Sequence, residues 1–418
     1  MNLYTAYYKG SAIDFSLPND WNVLGIGEPK ETPALFPLDT ALTKKLENPI
    51  NAPDIWRLAT SAQNATIIVD DQTRPTPAHQ LLPILVDILN SAKISDDNIN
   101  LIIGRGTHRV PTDEEVQTKV GNEIYNRIPI EIHDPDNPQA LTYLGDSTLG
   151  TPIWINNKVV EADLSIAIGN IAPHYFAGYG GGGKIILPGV SGRQTIIKNH
   201  TLIRDPNTIQ GQLKGNIVYS DMIEIARKAR LDLKIDVILN MENQIADLSV
   251  GEVGAEHTQG ITRFNEIYGF RPPCKADITI TCGYPLETNL IQSSKAVMSA
   301  DLITKDKGTI ILVSACYDGT GHGLYETLRE KPEPEEVIDW IAHGKSLPSG
   351  GPVASRTRAI LKKKQVAVVT DGVTSQKLED IGMIPYTTLT EAITDLEMSH
   401  TTADVIILPS GSSVNPLI

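Results

Sequence analysis

The chain has few cysteines and no long apolar segment. Cysteine occurs three times in 418 residues, at Cys274, Cys282 and Cys316. An odd number of cysteines in or near apolar runs predicts reduced core thiols rather than a disulfide framework. No stretch of 18 consecutive apolar residues is present, and residues 1–10 lack a basic start followed by an apolar run. We therefore expect a cytoplasmic protein that neither spans nor binds a membrane.

Basic residues are also scarce relative to acidic ones. The chain carries 36 Lys plus Arg against 50 Asp plus Glu, which gives a formal net charge of -14. Such a surface repels a polyanion over most of its area, so nucleic acid is not an expected partner. The sequence also lacks HExxH and paired CxxC motifs. A metal cage built from protein side chains alone is therefore not indicated.

Short Val- and Ile-rich runs recur between amphipathic stretches of helical length. This alternation predicts an α/β protein with mainly parallel sheets flanked by helices. The runs fall into two series, at 65–69, 100–104, 128–133, 164–169 and 233–239, and then at 277–282, 309–313, 366–370 and 405–408. Gly269 and the paired prolines 272–273 interrupt the chain between them. We predict an N-terminal cofactor-binding domain over residues 1–270 and a C-terminal domain over residues 275–418.

Two further segments carry local predictions. Alternating Tyr4, Ala6 and Tyr8 before Lys9 and Gly10 predict a hairpin, which we assign to the first domain. Residues 346–351 predict a loop before a helix at about 354–364, because they include one proline and two glycines.

Polar side chains follow two of the predicted strands. Asp71, Thr73 and Arg74 lie in the segment DDQTRPTP after the strand at 65–69, and His108 lies in GRGTHR after the strand at 100–104. Ligands of open parallel sheets bind at this carboxyl edge, where Asp71 suits a cofactor hydroxyl and Arg74 an anionic group. The alternative is that Asp71 and Arg74 pair with each other or cap the next helix.

A glycine-rich loop follows the strand at 164–169. Five of the seven residues from Gly178 to Lys184 are glycine, which favours backbone N–H groups arranged around a phosphate. The spacing satisfies GxxxxGK, but Ile185 stands where a P-loop needs Ser or Thr. A phosphate- or nucleotide-binding protein that uses this loop remains the alternative function. His174 lies near the loop, and His200 follows a helix that we predict to start near residue 191. An imidazole could complete the coordination of a metal that arrives with other ligands.

Taken together, these segments closely resemble the lactate racemase family of nickel-pincer enzymes. The matching segments are DDQTRPTP, GRGTHR, the run from Pro173 to Lys184, the following Pro188-Gly189-Val190, His200, and Gln292-Ser293-Ser294-Lys295 in the second domain. The resemblance runs through most of the chain and keeps the order and separation of the motifs.

The resemblance implies a two-domain protein with its active site in the interdomain cleft. It implies a nickel-pincer nucleotide, a pyridinium mononucleotide that grips nickel. The residue roles that it implies are a covalent cofactor link at Lys184, a nickel ligand at His200, acid/base histidines at His108 and His174, carboxylate binding by Arg74 and Lys295 with Gln292 beside them, and cofactor contacts from Asp71 and Thr73.

The implied reaction is racemisation or epimerisation at C2 of a small 2-hydroxy acid by proton-coupled hydride transfer. Removal of the hydroxyl proton and a hydride gives a planar 2-keto acid, which has lost its handedness. The implied partners are the 2-hydroxy acid and the maturation proteins that make the cofactor.

The chain departs from the lactate-specific members at two places. Those members have an aromatic residue directly before the Gln of Gln-x-x-Lys and a tryptophan later in the second domain. Here the first position is Ile291, and residues 341–418 contain no tryptophan. The identity of the 2-hydroxy acid therefore stays open. Arg356 and Arg358 are candidates for a second carboxylate, but alternate arginines on a helix favour a solvated face.

Overall fold

The computed structural model describes residues 2–345 and 350–418. Its strands, in chain order, are β1 (Leu3–Tyr8), β2 (Ser11–Ser16), β3 (Trp21–Ile26), β4 (Ala65–Asp70), β5 (Ile99–Gly104), β6 (Ile130–Ile132), β7 (Leu141–Asp146), β8 (Pro152–Asn156), β9 (Leu164–Asn170), β10 (Pro173–His174), β11 (Gly178–Tyr179), β12 (Leu233–Leu239), β13 (Ile245–Gly251), β14 (Gly269–Phe270), β15 (Ala276–Cys282), β16 (Thr304–Val313), β17 (Gln365–Val369), β18 (Ile384–Tyr386), β19 (Ala403–Leu408) and β20 (Asn415–Pro416).

The helices flank these strands and are mostly short. They are α1 (Leu38–Glu47), α2 (Ile55–Thr60), α3 (Ala78–Ser91), α4 (Asp113–Val120), α5 (Asn122–Arg127), α6 (Asn157–Val160), α7 (Arg193–Thr201), α8 (Ile217–Lys228), α9 (Val253–Tyr268), α10 (Leu290–Ile303), α11 (Leu324–Leu328), α12 (Pro334–Ala342), α13 (Gly351–Leu361), α14 (Ser375–Asp380) and α15 (Leu389–Ser399). Within the described residues, none of these helices is both long and apolar enough to cross a membrane.

Two six-stranded sheets carry the fold. The first has the order β13-β12-β9-β4-β5-β6, and its pairs are parallel except for the antiparallel edge strand β13. The second has the order β18-β17-β16-β15-β19-β3 and is parallel throughout. The predicted α/β class with mainly parallel sheets is confirmed.

Both sheets are covered on both faces by apolar side chains. In β4, Ile67 and Val69 pack into one core, whereas Ile68 between them packs into the core on the opposite face. In β16, Ile310 and Ile311 divide in the same way between the two cores of the second sheet. Burial on both faces explains why the strands read as continuous apolar runs in the sequence.

The amino terminus joins the second sheet. The predicted hairpin forms, with β1 antiparallel to β2, but its assignment to the first domain is wrong. Ala6 and Phe15 pack in the same core as Ile278 and Ile280 of β15, and the next strand, β3, pairs with β19. The domain boundary near residues 270–275 stays a prediction. Residues 3–26 of the predicted first domain, however, pack with the carboxyl-terminal sheet.

Three smaller predictions are corrected. His200 lies inside α7 rather than after it, and α13 begins at Gly351, three residues before the predicted start. Residues 346–349 of the predicted loop lie outside the described residues. Cys282 and Cys316 are buried free thiols as predicted, whereas Cys274 is exposed.

Candidate active site

A cavity of about 390 Å³ lies between loops of the first sheet and elements packed on the second sheet. All nine residues singled out in the sequence line it, namely Asp71, Thr73, Arg74, His108, His174, Lys184, His200, Gln292 and Lys295. The structure therefore brings together in one place side chains that are up to 224 positions apart in the chain. Their individual roles remain predictions.

The order of the strands determines how the loops meet at the cavity. β4 lies between β9 and β5, and all three run parallel. Arg74 follows β4, His108 follows β5 and His174 follows β9. The two histidines thus come from loops on either side of the β4 loop. Their parent strands are two spacings apart, roughly 10 Å, which leaves room for a small molecule between them.

Asp71 holds His108 in place. Its Oδ2 lies 2.7 Å from Nδ1 of His108, and its Oδ1 accepts hydrogen bonds from the hydroxyl of Thr73 at 2.6 Å and the backbone N–H of Thr73 at 3.0 Å. Burial raises the pKa of Asp71, but the contacts with His108 and Thr73 outweigh it and leave that pKa below its usual value. A carboxylate at this position accepts the Nδ1 proton, so the lone pair of His108 lies on Nε2.

These contacts also bear on the alternative interpretation, in which the side chains of Asp71 and Arg74 pair with each other. The backbone N–H of Arg74 donates to the backbone carbonyl of Asp71, but no ion pair joins the two side chains among the described residues. The cofactor contacts predicted for Asp71 and Thr73 stay predictions, and for Asp71 the structure shows a second task in orienting His108.

Lys184 and His174 contact each other across the glycine loop. Nζ of Lys184 lies 3.3 Å from Nε2 of His174, and Nδ1 of His174 accepts a hydrogen bond from the N–H of Ala177 at 3.3 Å. Nε2 is therefore the ring nitrogen that contacts the lysine amine, and which of the two groups donates depends on the tautomer of the ring. Burial, followed by the charge of Arg74, lowers the pKa of Lys184 to about 7, which makes a neutral amine accessible near neutral pH.

Arg74, Lys184 and Lys295 line the cavity together. Burial and the charge of Arg74 lower the pKa of Lys295 to about 7, as they do for Lys184. His174 has its pKa lowered well below the usual value by burial and then by Lys184, Arg74 and Lys295 in turn. Among the residues that the structure describes, no carboxylate offsets these effects at either lysine. The cavity is therefore a site for an anion.

Helix α10 presents Gln292 and Lys295 to this site. Asn289 caps the helix by accepting a hydrogen bond from the backbone N–H of Gln292 at 3.1 Å. One face of α10, which also carries Ile291 and Met298, therefore lines the cavity.

His200 is a neutral imidazole at the same cavity. Burial, followed by the charge of Lys184, lowers its pKa to about 3. Its buried Nδ1 has no hydrogen-bond partner among the described residues. The ring packs edge-on against Phe176 at 5.1 Å, and Lys184 Nζ lies 5.3 Å from the centre of the same phenyl ring. Lys184 and His200 thus both lie next to one aromatic side chain.

The glycine loop packs against protein groups. The N–H of Gly182 donates to Oδ2 of Asp236 at 2.6 Å, and Asp236 pairs with the fully buried Lys234 at 2.5 Å. A Cβ at Gly181 would lie 2.7 Å from the Asp236 carboxylate, and one at Gly183 would lie 2.7 Å from the Met222 carbonyl oxygen. Glycine at these positions allows the loop to pack closely against protein groups, including the Asp236 carboxylate. The loop is therefore not arranged around a phosphate.

The structure also differs from a P-loop after the lysine. Lys184 lies in the 3-10 turn Gly182–Ile185, and the next helix begins only at Arg193. A P-loop lysine opens a helix whose N-terminus faces the phosphates. The GxxxxGK spacing therefore does not correspond to a P-loop structure.

Sequence patterns did not single out some of the residues that form the site. Tyr175 lines the cavity and stacks on His174 with ring centres 4.8 Å apart, and Ser412 and Ser413 line it from the loop after β19. The small residues that follow the predicted strand at 405–408 were the available signal. Asp236 gave no signal, because it lies within a strand 54 residues after Gly182.

The comparisons with known proteins agree on one family. Residues 8–211 match the lactate racemase N-terminal domain, and residues 272–415 match the lactate racemase C-terminal domain. The lactate racemase of Thermoanaerobacterium thermosaccharolyticum is 32% identical over 97% of both chains, and that of Lactiplantibacillus plantarum is 33% identical over 89% of both.

Solved structures show the same similarity. The lactate racemase apoprotein from Thermoanaerobacterium thermosaccharolyticum superposes with a TM-score of 0.91 at 31% identity, with both chains covered completely. A Thermotoga maritima protein shares the fold with a TM-score of 0.64 at 16% identity, over 90% of this chain and 96% of its own.

The fold and the site define a two-domain α/β enzyme of the isomerase class. The chain belongs to the lactate racemase family, which confirms the resemblance seen in its motifs.

The cation cluster predicts pH-dependent anion binding. Lysine carries its charge below its pKa, so the attraction for a carboxylate should be present at pH 6 and fall as pH rises through about 7. Calorimetric titration of the apoprotein with a 2-oxo acid should give affinity at least about tenfold higher at pH 6 than at pH 9. Lys295→Gln should weaken binding at pH 6, whereas Lys305→Gln, at the amino end of β16, should not. Equal affinity at both pH values in the unmodified protein would contradict this assignment.

Proposed function

We propose that the protein interconverts the two configurations at C2 of a 2-hydroxy acid. The observation that carries this proposal is the placement of two histidines on loops either side of the β4 loop, which contributes Arg74 to an anion site shared with Lys295. A carboxylate held at that site places C2 and its hydroxyl between the histidines. The two enantiomers then direct their hydroxyl groups differently from one anchor, so two bases serve better than one.

His108 is set up as a base by its neighbour. The Asp71 carboxylate accepts from Nδ1, leaves the Nε2 lone pair available, and stabilises the imidazolium that forms when Nε2 takes the hydroxyl proton. This contact also fixes the orientation of the ring, because Asp71 is itself held by Thr73.

The basicity of His174 depends in part on the charges around it. Burial is the largest cause of its lowered pKa, and the charges of Lys184, Arg74 and Lys295 lower that pKa further. A substrate carboxylate between Arg74 and Lys295 would offset two of these charges, and acylation of Lys184 would remove the third. Occupation of the site would therefore remove these charge contributions to the lowered pKa of His174, while the contribution of burial remains.

The residues also fit the family's cofactor, the nickel-pincer nucleotide. A neutral imidazole with an unpartnered buried nitrogen is a suitable nickel ligand, and His200 meets that description. Lys184, with a pKa of about 7, supplies the neutral amine that a covalent link requires. When bound, the cofactor would accept a hydride from C2 and return it.

Other features of the chain fit this role of the cofactor. Within the described residues, no group of three or more His, Cys, Asp or Glu side chains is arranged to hold a metal ion. Nickel bound through His200 would therefore take its remaining ligands from the cofactor. We propose that separate maturation proteins supply the cofactor and that the enzyme works in the cytoplasm. The three free thiols are consistent with a reducing compartment.

The covalent link can be tested by mass. Protein from the native host, or made together with the maturation proteins, should carry an adduct in its intact mass. Lys184→Ala should have the unmodified mass, because the amine that forms the link is gone. Lys295→Ala, which removes another lysine that lines the cavity, should keep the adduct. His200→Ala should also keep the adduct but lose nickel more readily to a chelator. An adduct that persists in Lys184→Ala would refute the assignment.

The acid/base pair can be tested on single enantiomers of lactate and other 2-hydroxy acids, followed by chiral separation. His108→Ala and His174→Ala should each lower the rate by roughly 10² to 10⁴, the usual contribution of a general acid/base. Both variants should retain the adduct. His343→Ala, which changes an exposed histidine, should keep the full rate. The proposal fails if verified nickel-loaded protein interconverts none of these acids, or if the double variant is fully active.

A further inference from the structure

We propose that Asp221 is a positioning residue for the metal ligand: by holding Asn199 it fixes the last turn of α7 and thereby orients the neighbouring His200 toward the cavity. This inference rests on the proposed role of His200 as the nickel ligand. Neither Asp221 nor Asn199 lines the cavity. They belong to a separate buried cluster on another face of the helix that carries His200.

Asp221 is a buried carboxylate that no step of the proposed reaction uses. It lies in α8 and is 1% exposed. Its Oδ2 accepts hydrogen bonds from Nδ2 of Asn199 and from the hydroxyl of Thr151, both at 2.8 Å, and its Oδ1 accepts from the hydroxyl of Ser147 at 2.5 Å. All three donors are neutral and buried. These bonds fix the carboxylate in place, because a buried acid that has lost its hydration depends on such donors.

The side of α7 that faces this cluster is polar and fully buried. Thr195 and Asn199 are four residues apart, so they share one face of α7, and both are 0% exposed. The hydroxyl of Thr195 donates to the Pro152 carbonyl oxygen at 2.6 Å and accepts from the backbone N–H of Trp154 at 3.0 Å. Hydrogen bonds are directional, whereas hydrophobic contacts are not. This polar face therefore sets the rotation of α7 about its axis.

Asn199 directly precedes His200 in the last turns of α7. The side chains of consecutive helical residues leave the axis about 100° apart, so a rotation that moves one of them moves the other. The buried Nδ1 of His200 has no hydrogen-bond partner among the described residues, so no hydrogen bond at that nitrogen orients the imidazole. The orientation of the ring therefore depends on the helix and on its packing.

Helix α8 also holds the aromatic side chain against which His200 packs. The ring of His200 lies edge-on to that of Phe176, with centres 5.1 Å apart. Asn216, which caps α8, donates from Nδ2 to the Phe176 carbonyl oxygen at 2.8 Å. The same helix thus holds both Asn199 and Phe176. Loss of the Asp221 carboxylate removes the first of these restraints on the imidazole and leaves the second.

Other contacts act on the segment that follows α7. We expected a solvated face for Arg356 and Arg358, but both are partly buried, and neither lines the cavity. Arg356 donates to the Thr208 carbonyl oxygen, and Arg358 donates to that of Pro332 at 3.0 Å. Since Thr208 lies beyond the end of α7, its contact does not replace the one between Asn199 and Asp221.

Release of nickel from the holoenzyme tests this inference. Asp221→Ala, made together with the maturation proteins, should lose nickel to a chelator at least about tenfold faster than the unmodified protein, since residues that hold a metal ligand typically contribute roughly 10- to 100-fold to metal affinity. The adduct at Lys184 should remain in the intact mass. Asp221→Asn keeps an oxygen that can accept from Asn199 and should restore most of the slow release. Release from Asp221→Ala at the unmodified rate would overturn the inference.

A double-mutant cycle separates positioning from stability. Asn199→Ala breaks the same contact from α7, so it should release nickel as fast as Asp221→Ala and replaces that variant if it does not fold. The double variant should be no faster than either single variant, because Asp221 acts through Asn199. Asp232→Ala, which removes a carboxylate that accepts from Ser165 at the amino end of β12, should lower thermal stability without faster release. Additive effects in the cycle, or equally fast release from Asp232→Ala, would contradict the inference.

His200→Ala distinguishes the inference from the proposed function. If this variant releases nickel at the unmodified rate, His200 is not the ligand, and the proposed cofactor site fails together with the inference. If His200→Ala releases nickel faster but Asp221→Ala and Asn199→Ala do not, the proposed site stands and Asp221 has no positioning role.

Discussion

The electrostatics of the cavity depend on Arg74, Lys184 and Lys295, which form no ion pair among the described residues. Burial, followed by the charge of Arg74, lowers the pKa of both lysines to about 7. Burial, followed by the charges of Lys184, Arg74 and Lys295, also lowers the pKa of His174 well below its usual value. Under the proposed function, a substrate carboxylate and the covalent cofactor would each offset part of this positive charge.

The acids near these cations form hydrogen bonds or ion pairs with other groups of the protein. The acids nearest to them are already engaged, since Asp71 accepts from His108 and Thr73, and Asp70 pairs with Lys119. Asp236 pairs with Lys234 while it holds the glycine loop through the N–H of Gly182. Each acid therefore positions an element of the site through partners other than Lys184 and Lys295. The contact between Asp236 and the N–H of Gly182 requires close packing of the backbone, which glycine allows.

Features of the fold and site that depend on local sequence patterns could be predicted from the sequence. Features that depend on contacts between distant parts of the chain could not. Continuous apolar runs located both sheets, and loops at strand ends located Arg74, His108 and His174, because parallel strands bring their carboxyl ends to one edge. The pairing of β3 with β19 joins residues about 380 positions apart and leaves no local trace. The same holds for Asp236 beneath the glycine loop. Its glycines signalled a close approach, but the sequence could not distinguish a carboxylate from a phosphate as the neighbour.

The central claim is that two histidines move only the hydroxyl proton while the hydrogen on C2 leaves and returns as a hydride. The most direct test is to racemise a single unlabelled enantiomer in deuterated water and to examine C2 of the opposite enantiomer by mass spectrometry. Since the C2 hydrogen never exchanges with solvent in this account, the product should retain protium at C2. Full incorporation of solvent deuterium at C2 would show that a base removes that hydrogen as a proton, and it would contradict the account.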